Sequence, residues 1–296
     1  MVSIACQNSG NSLKTCYPVA MNLSFSKMHG LGNDFIVIDA INQTVSLDSE
    51  TVQRLADRHH GIGCDQILIV EAARNTDSDF FYRIFNADGS EVAQCGNGAR
   101  CFARFVRDKG LTDRDTIRVE TSAGLMQCHI EPDGQITVNM GLARLEPADI
   151  PLNRDTREDA YHVQINGQTI EFGAVSLGNP HAVIRVEDIH TAPVATLGPL
   201  LESHADFPER ANIGFAQISD EGHIILRVYE RGTGETEACG SGACAAMIIA
   251  RQRGWVNDSV IVKLRGGMLR INWKGDGEPV WMTGPATHVF DGQIKL

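Results

Sequence analysis

Phe85-Asn86-Ala87-Asp88-Gly89-Ser90-Glu91-Val92-Ala93-Gln94-Cys95-Gly96-Asn97-Gly98-Ala99-Arg100 organises the whole chain. A β-like run over residues 80–85 leads into a turn-rich loop that ends at a cysteine followed by Gly-Asn-Gly. A helical pattern then begins, with Ala99, Phe102, Phe105 and Val106 on one face, and stops at Lys109-Gly110. Cys95 therefore falls just ahead of a helix N-terminus. There, free backbone amides and the helix dipole favour negative charge, on a thiolate or on a carboxylate held beside it.

The same text occurs again. Tyr229-Glu230-Arg231-Gly232-Thr233-Gly234-Glu235-Thr236-Glu237-Ala238-Cys239-Gly240-Ser241-Gly242-Ala243 follows a β-like run over 223–228. A helical pattern with Ala246, Met247 and Ile249 ends at Arg253-Gly254. In both copies the closing glycine lies fifteen positions after the cysteine (95 to 110, 239 to 254). The echo extends upstream: Leu31-Gly32-Asn33 returns as Leu177-Gly178-Asn179, Gln66 matches Asn212, and Phe85-Asn86 matches Tyr229-Glu230. Two similar domains, each presenting one cysteine from a loop-to-helix junction, are expected. The plain alternative is a repeated fold unit with both cysteines as packing residues. Two cysteines, each followed by Gly-x-Gly-Ala in a duplicated context, favour function.

Composition narrows the classes. With 296 residues, 43% apolar and 21% charged, the chain is globular and long enough for one or two cores. A formal charge of −11 argues against nucleic-acid binding. No run approaches the roughly 18 apolar residues that would span a bilayer. Eight cysteines are too few for a disulfide scaffold at this length, and none of their spacings makes the tight clip of a structural zinc site. Reduced cysteines are expected, with Cys64, Cys101, Cys128 and Cys244 structural and no metal. Residues 1–20 carry no acidic residue and only Lys14 as a base. They read as a disordered leader over 1–22, as a stretch ahead of a true start at Met21, or as a weak transit peptide.

Elsewhere, residues 35–38 read as a buried strand and Asp48 as the cap of a helix running to about 59. Strands are expected at 67–70, 116–120, 125–130 and 135–140. Residues 146–159, with Pro147 and Pro151 among many charges, read as a domain junction.

Two cysteines on one cleft suit a particular chemistry. Inverting a carbon centre requires a base on one face and an acid on the other, with roles exchanged in the reverse direction. Backbone amides at two helix ends would stabilise a carboxylate whose α-carbon becomes a carbanion, and a closed cleft would strengthen those contacts.

At this point a resemblance becomes specific. Lys27-Met28-His29-Gly30-Leu31-Gly32-Asn33-Asp34-Phe35, Asn86-Ala87-Asp88-Gly89-Ser90 with Cys95-Gly96-Asn97-Gly98, Gly178-Asn179-Pro180-His181, and Glu230-Arg231-Gly232 with Cys239-Gly240-Ser241-Gly242 resemble diaminopimelate epimerases. The likeness runs from about Phe25 to the C-terminus. It implies an α+β fold of two similar domains, each a β-sheet wrapped around a central helix. The N-terminal domain would comprise 23–139 plus 285–296, and the C-terminal domain 140–284. It implies a cytoplasmic homodimer without cofactor or metal that interconverts LL- and meso-2,6-diaminopimelate for lysine and peptidoglycan-precursor synthesis. Cys95 and Cys239 would be the acid/base pair, and His181 and Glu230 would tune their pKa values. Asn33, Gln66, Asn86, Gly96, Asn97, Asn179, Asn212, Glu230, Arg231, Gly240 and Ser241 would bind substrate.

The residue types fit these roles: Asn offers donors and acceptors to an ammonium–carboxylate pair, and Arg231 can take a carboxylate bidentately. Each also has a plainer reading. Asn33 and Asn179 suit turns, Gln66 a strand end, Asn97 and Ser241 helix caps, His181 a satisfied core, and Glu230-Arg231 a surface pair. Three rivals stand beside the resemblance: a proline or hydroxyproline epimerase, a phenazine-type isomerase that would not need both cysteines, and a non-catalytic amino-acid binder.

Overall fold

The computed structural model describes residues 22–92 and 95–296. The leader expected over 1–22 thus lies outside the described residues, apart from Asn22. The first repeat comprises β1 (Asn22–Gly30), β2 (Asn33–Asp39), α1 (Ser49–Ala56), β3 (Gln66–Ala72), β4 (Phe80–Asn86) and β5 (Glu91–Val92), then α2 (Gly96–Asp108), β6 (Thr116–Thr121), β7 (Gly124–Ile130) and β8 (Ile136–Leu142). The second begins with β9 (Tyr161–Ile165), β10 (Gln168–Ser176), β11 (Pro180–Arg185), α3 (Val194–Glu202), β12 (Asn212–Asp220), β13 (His223–Glu230) and β14 (Gly234–Glu235). It continues with α4 (Gly240–Gln252), β15 (Ser259–Leu264), β16 (Gly267–Asn272) and β17 (Pro279–Gly284), and β18 (Thr287–Lys295) closes the chain.

Strand pairing repeats as the elements do. In the first copy β1 lies antiparallel to β2, β2 parallel to β3, β3 antiparallel to β4 and β4 parallel to β6. In the second, β10 to β11, β11 to β12, β12 to β13 and β13 to β15 take the same directions. Each copy carries one further outer strand. It is β9 on β10 in the second, but in the first the chain end supplies it, β18 pairing antiparallel with β1. The copies join where β8 and β17 run antiparallel, Val138 opposite Met282.

Alternation along the strands explains the layers. Side chains in a strand point to opposite faces in turn. In β2, Phe35 and Val37 face the inner core around α2, whereas Ile36 and Ile38 face an outer core with Val52 and Leu55 of α1. In the second copy Val183 faces the inner core and Ala182 and Ile184 the outer one, where Val194 and Leu201 of α3 pack. Both sheet faces are covered, so these strands read as continuous apolar runs. The inner core is continuous between the copies and contains both α2 and α4. Helix α4 is apolar nearly all round, as a fully enclosed helix must be.

Three details differ from the sequence reading. Helix α1 stops at Ala56 and not near 59, because the Asp57 carboxylate accepts the amides of His59 (2.7 Å) and His60 (2.6 Å) and turns the chain out of the helix. The strand expected at 135–140 is shifted to Ile136–Leu142. The junction at 146–159 holds a single 3-10 turn, Pro147–Asp149. The α2 and α4 stops fall at Gly110 (φ +66°) and Gly254 (φ +68°), left-handed positions that suit glycine.

Candidate active site

Cys95 and Cys239 are the N-caps of α2 and α4. Glycine after each cysteine lets the chain turn into the helix without a side chain over the cap. The two helix N-termini meet at the seam between the copies. Asn97 Nδ2 donates to Ala238 O at 3.0 Å, reaching from the first turn of α2 to the residue before Cys239. A Cβ on Gly240 would stand 3.2 Å from Asn97 Oδ1, so the approach needs a bare backbone there.

Around Cys95, the Gly98 amide donates to Sγ at 3.5 Å, and Asn33 Oδ1 lies 3.9 Å from it. Asn33 Oδ1 also accepts from Asn97 Nδ2 at 3.2 Å, while its own amide donates to Asp65 at 3.0 Å. Asp65 and Asp34 share Arg58, and Lys27 meets Asp34 at 2.5 Å, which fixes the turn that carries Asn33. Gln66 donates to Asn86 Oδ1 at 2.9 Å across the β3–β4 pair, and Asn86 donates to Ser90 Oγ at 3.1 Å.

Around Cys239, Ser241 Oγ lies 3.7 Å from the buried thiol. Asn179 Nδ2 donates to that hydroxyl at 3.3 Å, and Asn179 Oδ1 accepts from His181 Nε2 at 3.2 Å. A serine, an amide and a histidine thus form a chain that ends at the thiol. Glu230 accepts from Thr236 Oγ1 and sits beside Cys239. Asn212 donates to Pro180 O (3.1 Å) and accepts from the Arg231 backbone amide (3.0 Å), holding the β11–β12 end against the loop after β13. The Arg231 guanidinium is exposed and donates to Glu209 O at 3.0 Å.

The electrostatics reverse one expectation. Burial is the largest influence on both thiols and raises both pKa values. At Cys95 the Gly98 and Asn97 amides oppose it. At Cys239, already pushed up by burial, the Glu230 charge drives the pKa further, well above the ordinary value. Helix N-termini do favour thiolate here, but burial outweighs them. Burial raises Glu230 as well, and it lowers His181 to about 3 with help from Arg231, so His181 is neutral and donates from Nε2.

Each sequence-identified residue thus lies on one of the two loop-to-helix junctions or on the strand ends that frame them. Sequence reading did not single out the supporting residues. Asp65 holds Asn33, Thr236 holds Glu230, and the buried Glu202 accepts the Gly232 amide at 2.8 Å. Their signal is cross-chain geometry, which spacing does not carry.

With this arrangement in view, comparison with known proteins is decisive. A family model described as diaminopimelate epimerase matches residues 25–146 and 173–289. The chain belongs to the diaminopimelate epimerase family. It is therefore an isomerase. A diaminopimelate epimerase of Nitrosomonas eutropha is 60% identical over 279 residues, covering 93% of this chain and all of the relative. One of Pseudomonas aeruginosa is 56% identical over 276 residues with the same coverage. Among solved structures, a hydroxyproline epimerase from Agrobacterium vitis superposes with a TM-score of 0.68 at 15% identity, covering 93% of each chain. A Bacillus anthracis protein of the PhzF phenazine-biosynthesis family reaches 0.66 at 17% identity, over 93% of this chain and 99% of that one. At those identities the likeness concerns the fold alone, two-domain and sheet-dominated, with four α-helices among the described residues of this chain.

Proposed function

We propose that this chain interconverts LL- and meso-2,6-diaminopimelate by a two-base mechanism, with Cys95 and Cys239 as the acid/base pair. The observation that carries the reading is the meeting of two cysteine-capped helix N-termini at one seam, linked by Asn97 to Ala238 O. One thiolate takes the α-proton from one face, and its electron pair stays on the α-carbon, delocalised into the carboxylate. The opposite thiol then gives its proton to the other face, so charge and atoms balance. The amides at Gly96-Asn97 and Gly240-Ser241 stabilise the carboxylate as charge develops. Two thiols and these amides supply acid, base and anion stabilisation, which is why the reading requires no pyridoxal phosphate, other cofactor or metal.

Asn33, Gln66, Asn86, Asn179, Asn212, Glu230 and Arg231 line the substrate pocket in this reading. Exposed Arg231 is free to turn toward a carboxylate at the distal end, and the amide pairs Gln66–Asn86 and Asn33–Asn97 can exchange partners with an amino-acid group. His181 and Glu230 set the Cys239 environment. The substrate ammonium would favour the thiolate that burial opposes. Domains of 23–139 with 285–296, and of 140–284, are supported by the repeated pairing and by β18 on β1.

The reaction belongs to lysine and peptidoglycan-precursor synthesis, and the enzyme is read as a cytoplasmic homodimer. No helix among the described residues is long and apolar enough to cross a membrane. Val289 and Phe290 of β18 are 53% and 45% exposed, an apolar edge that suits a second copy. Light scattering tests this: twice the 32.2 kDa chain mass is expected, falling to the single mass in Phe290→Asp. Formation of the meso isomer from LL-diaminopimelate by wild type, lost in Cys95→Ala and Cys239→Ala, tests the reaction. The 55–60% relatives favour this substrate over the cyclic imino acids of the more distant structural neighbours.

A further inference from the structure

Glu202 is out of keeping with its surroundings. It ends α3, where the helix dipole disfavours an acidic side chain, and among the described residues it is the one acidic residue that is buried, 6% exposed. Its Oε1 accepts the Gly232 amide at 2.8 Å and accepts from Arg210 Nη1 at 3.4 Å. Its backbone carbonyl accepts the Ala211 amide at 3.3 Å. One residue therefore grips two segments. The first is the turn after β13 that carries Arg231, whose amide Asn212 accepts at 3.0 Å. The second is the stretch 209–211, where the Glu209 carbonyl accepts the Arg231 guanidinium at 3.0 Å.

The duplication gives this grip a context. The turn Asn86-Ala87-Asp88-Gly89 is closed by Gly89 N donating to Asn86 O at 2.9 Å, and its counterpart Glu230-Arg231-Gly232-Thr233 by Thr233 N donating to Glu230 O at 3.1 Å. The outer helix of each copy holds the third residue of its turn. Gln53 of α1 donates to Asp88 O at 2.6 Å, and Glu202 of α3 accepts from Gly232 N. The residue ahead of that anchor differs: it is Ala87 in the first copy and Arg231 in the second. The second copy thus couples the shared anchor to a cation.

We propose that Glu202 is a positioning residue that sets the preference for a substrate bearing a second carboxylate, because it holds both the backbone that carries Arg231 and the turn on which the guanidinium rests. The inference rests on the reading of Arg231 as the partner of the distal carboxylate. Held at both ends, the fork meets that carboxylate without first being ordered, and the carboxylate displaces a single carbonyl contact. The distal end takes no part in the bond changes at the α-carbon, so the contribution belongs to binding and not to the chemical step.

The test is KM and kcat for LL-diaminopimelate, read as meso isomer formed, in single and paired variants of the full chain. Glu202→Met, similar in size but without an acceptor, should raise KM about tenfold and leave kcat within about twofold. Glu202→Gln, which keeps an oxygen for the Gly232 amide, should restore KM to within about threefold of wild type. Arg231→Met should raise KM at least as much as Glu202→Met. Adding Glu202→Met to it should change KM by less than about twofold, since the two act through one contact. An unmoved KM in folded Glu202→Met would overturn the proposal. So would a further rise of about tenfold on top of Arg231→Met, which would leave Glu202 as a support of the fold alone. Should Glu202→Met not fold, Glu202→Asp, whose carboxylate stops one carbon short, decides by the same pair of measurements, with a KM rise of about threefold or more predicted. Failure of the underlying reading would look different and would sink both: wild type forming no meso isomer, or Arg231→Met with an unchanged KM.

Discussion

The two thiols occupy unequal places. Cys95 is half-buried and accepts an amide; Cys239 is 4% exposed, beside a carboxylate and a serine. Removing either sulfur removes the acid or the base, so Cys95→Ala and Cys239→Ala should each lower kcat by about 10²–10⁴ or more, with circular dichroism unchanged. Near-normal turnover in either variant would contradict the pairing. Glu230 gives a test with a definite sign. Its negative charge disfavours a second negative charge on Cys239. Neutralising it in Glu230→Gln should therefore lower the apparent pKa of Cys239 alkylation, and Cys95 should follow by less. The His181–Asn179–Ser241 chain was hidden in the sequence. His181 stands out as a histidine before an apolar strand, but its reach toward a thiol through two other side chains exists only once β11 lies beside the start of α4.

Among the elements, α2 and α4 were legible because everything that defines them is local: a cap, glycines after it, an apolar face, and a closing glycine with positive φ. Helix α3 was not. Its nine residues include Gly198 and Pro199, both poor helix formers, and no side chain caps it. Packing holds it: Val194 and Leu201 enter the outer core, and Gly198 sits so close to the Tyr229 ring that a Cβ would come within 2.7 Å. Tertiary contact overrides propensity there. Strands β9 and β10 were likewise unannounced: β9 alternates strictly but over only five residues beside a charged junction, and β10 is polar in its first half and owes its buried second half to its place between β9 and β11. Helix α1 offers a clean test of local reasoning. Asp48 accepts the Thr51 amide at 2.8 Å, so Asp48→Ala should lower Tm by about one or two degrees while leaving turnover intact. An unchanged Tm would remove the cap from the account.

At the scale of the whole molecule, duplication and burial govern stability together. Burial drives His181 down to about 3, so below about pH 6.5 the unfolded chain binds a proton that the folded one refuses. Stability should therefore fall as pH drops from about 6.5 toward 3. Burial also pushes Cys64, Cys101, Cys128 and Cys244 up to about 12, so the folded state keeps protons that the unfolded chain releases. Stability should fall again as pH rises from about 9 toward 12. Urea midpoints across pH would reveal a plateau between these flanks, and a His181→Gln variant should flatten the acid one. The same enclosed core that raises these pKa values brings the two cysteine-capped helices together, so the proton-transfer claim is the central one. It is tested most directly by proton NMR of the purified protein with LL-diaminopimelate in D₂O, with chelator present and no cofactor added. The account predicts loss of the α-proton signal together with appearance of the meso isomer. Binding without exchange would contradict it and leave a non-catalytic amino-acid binder.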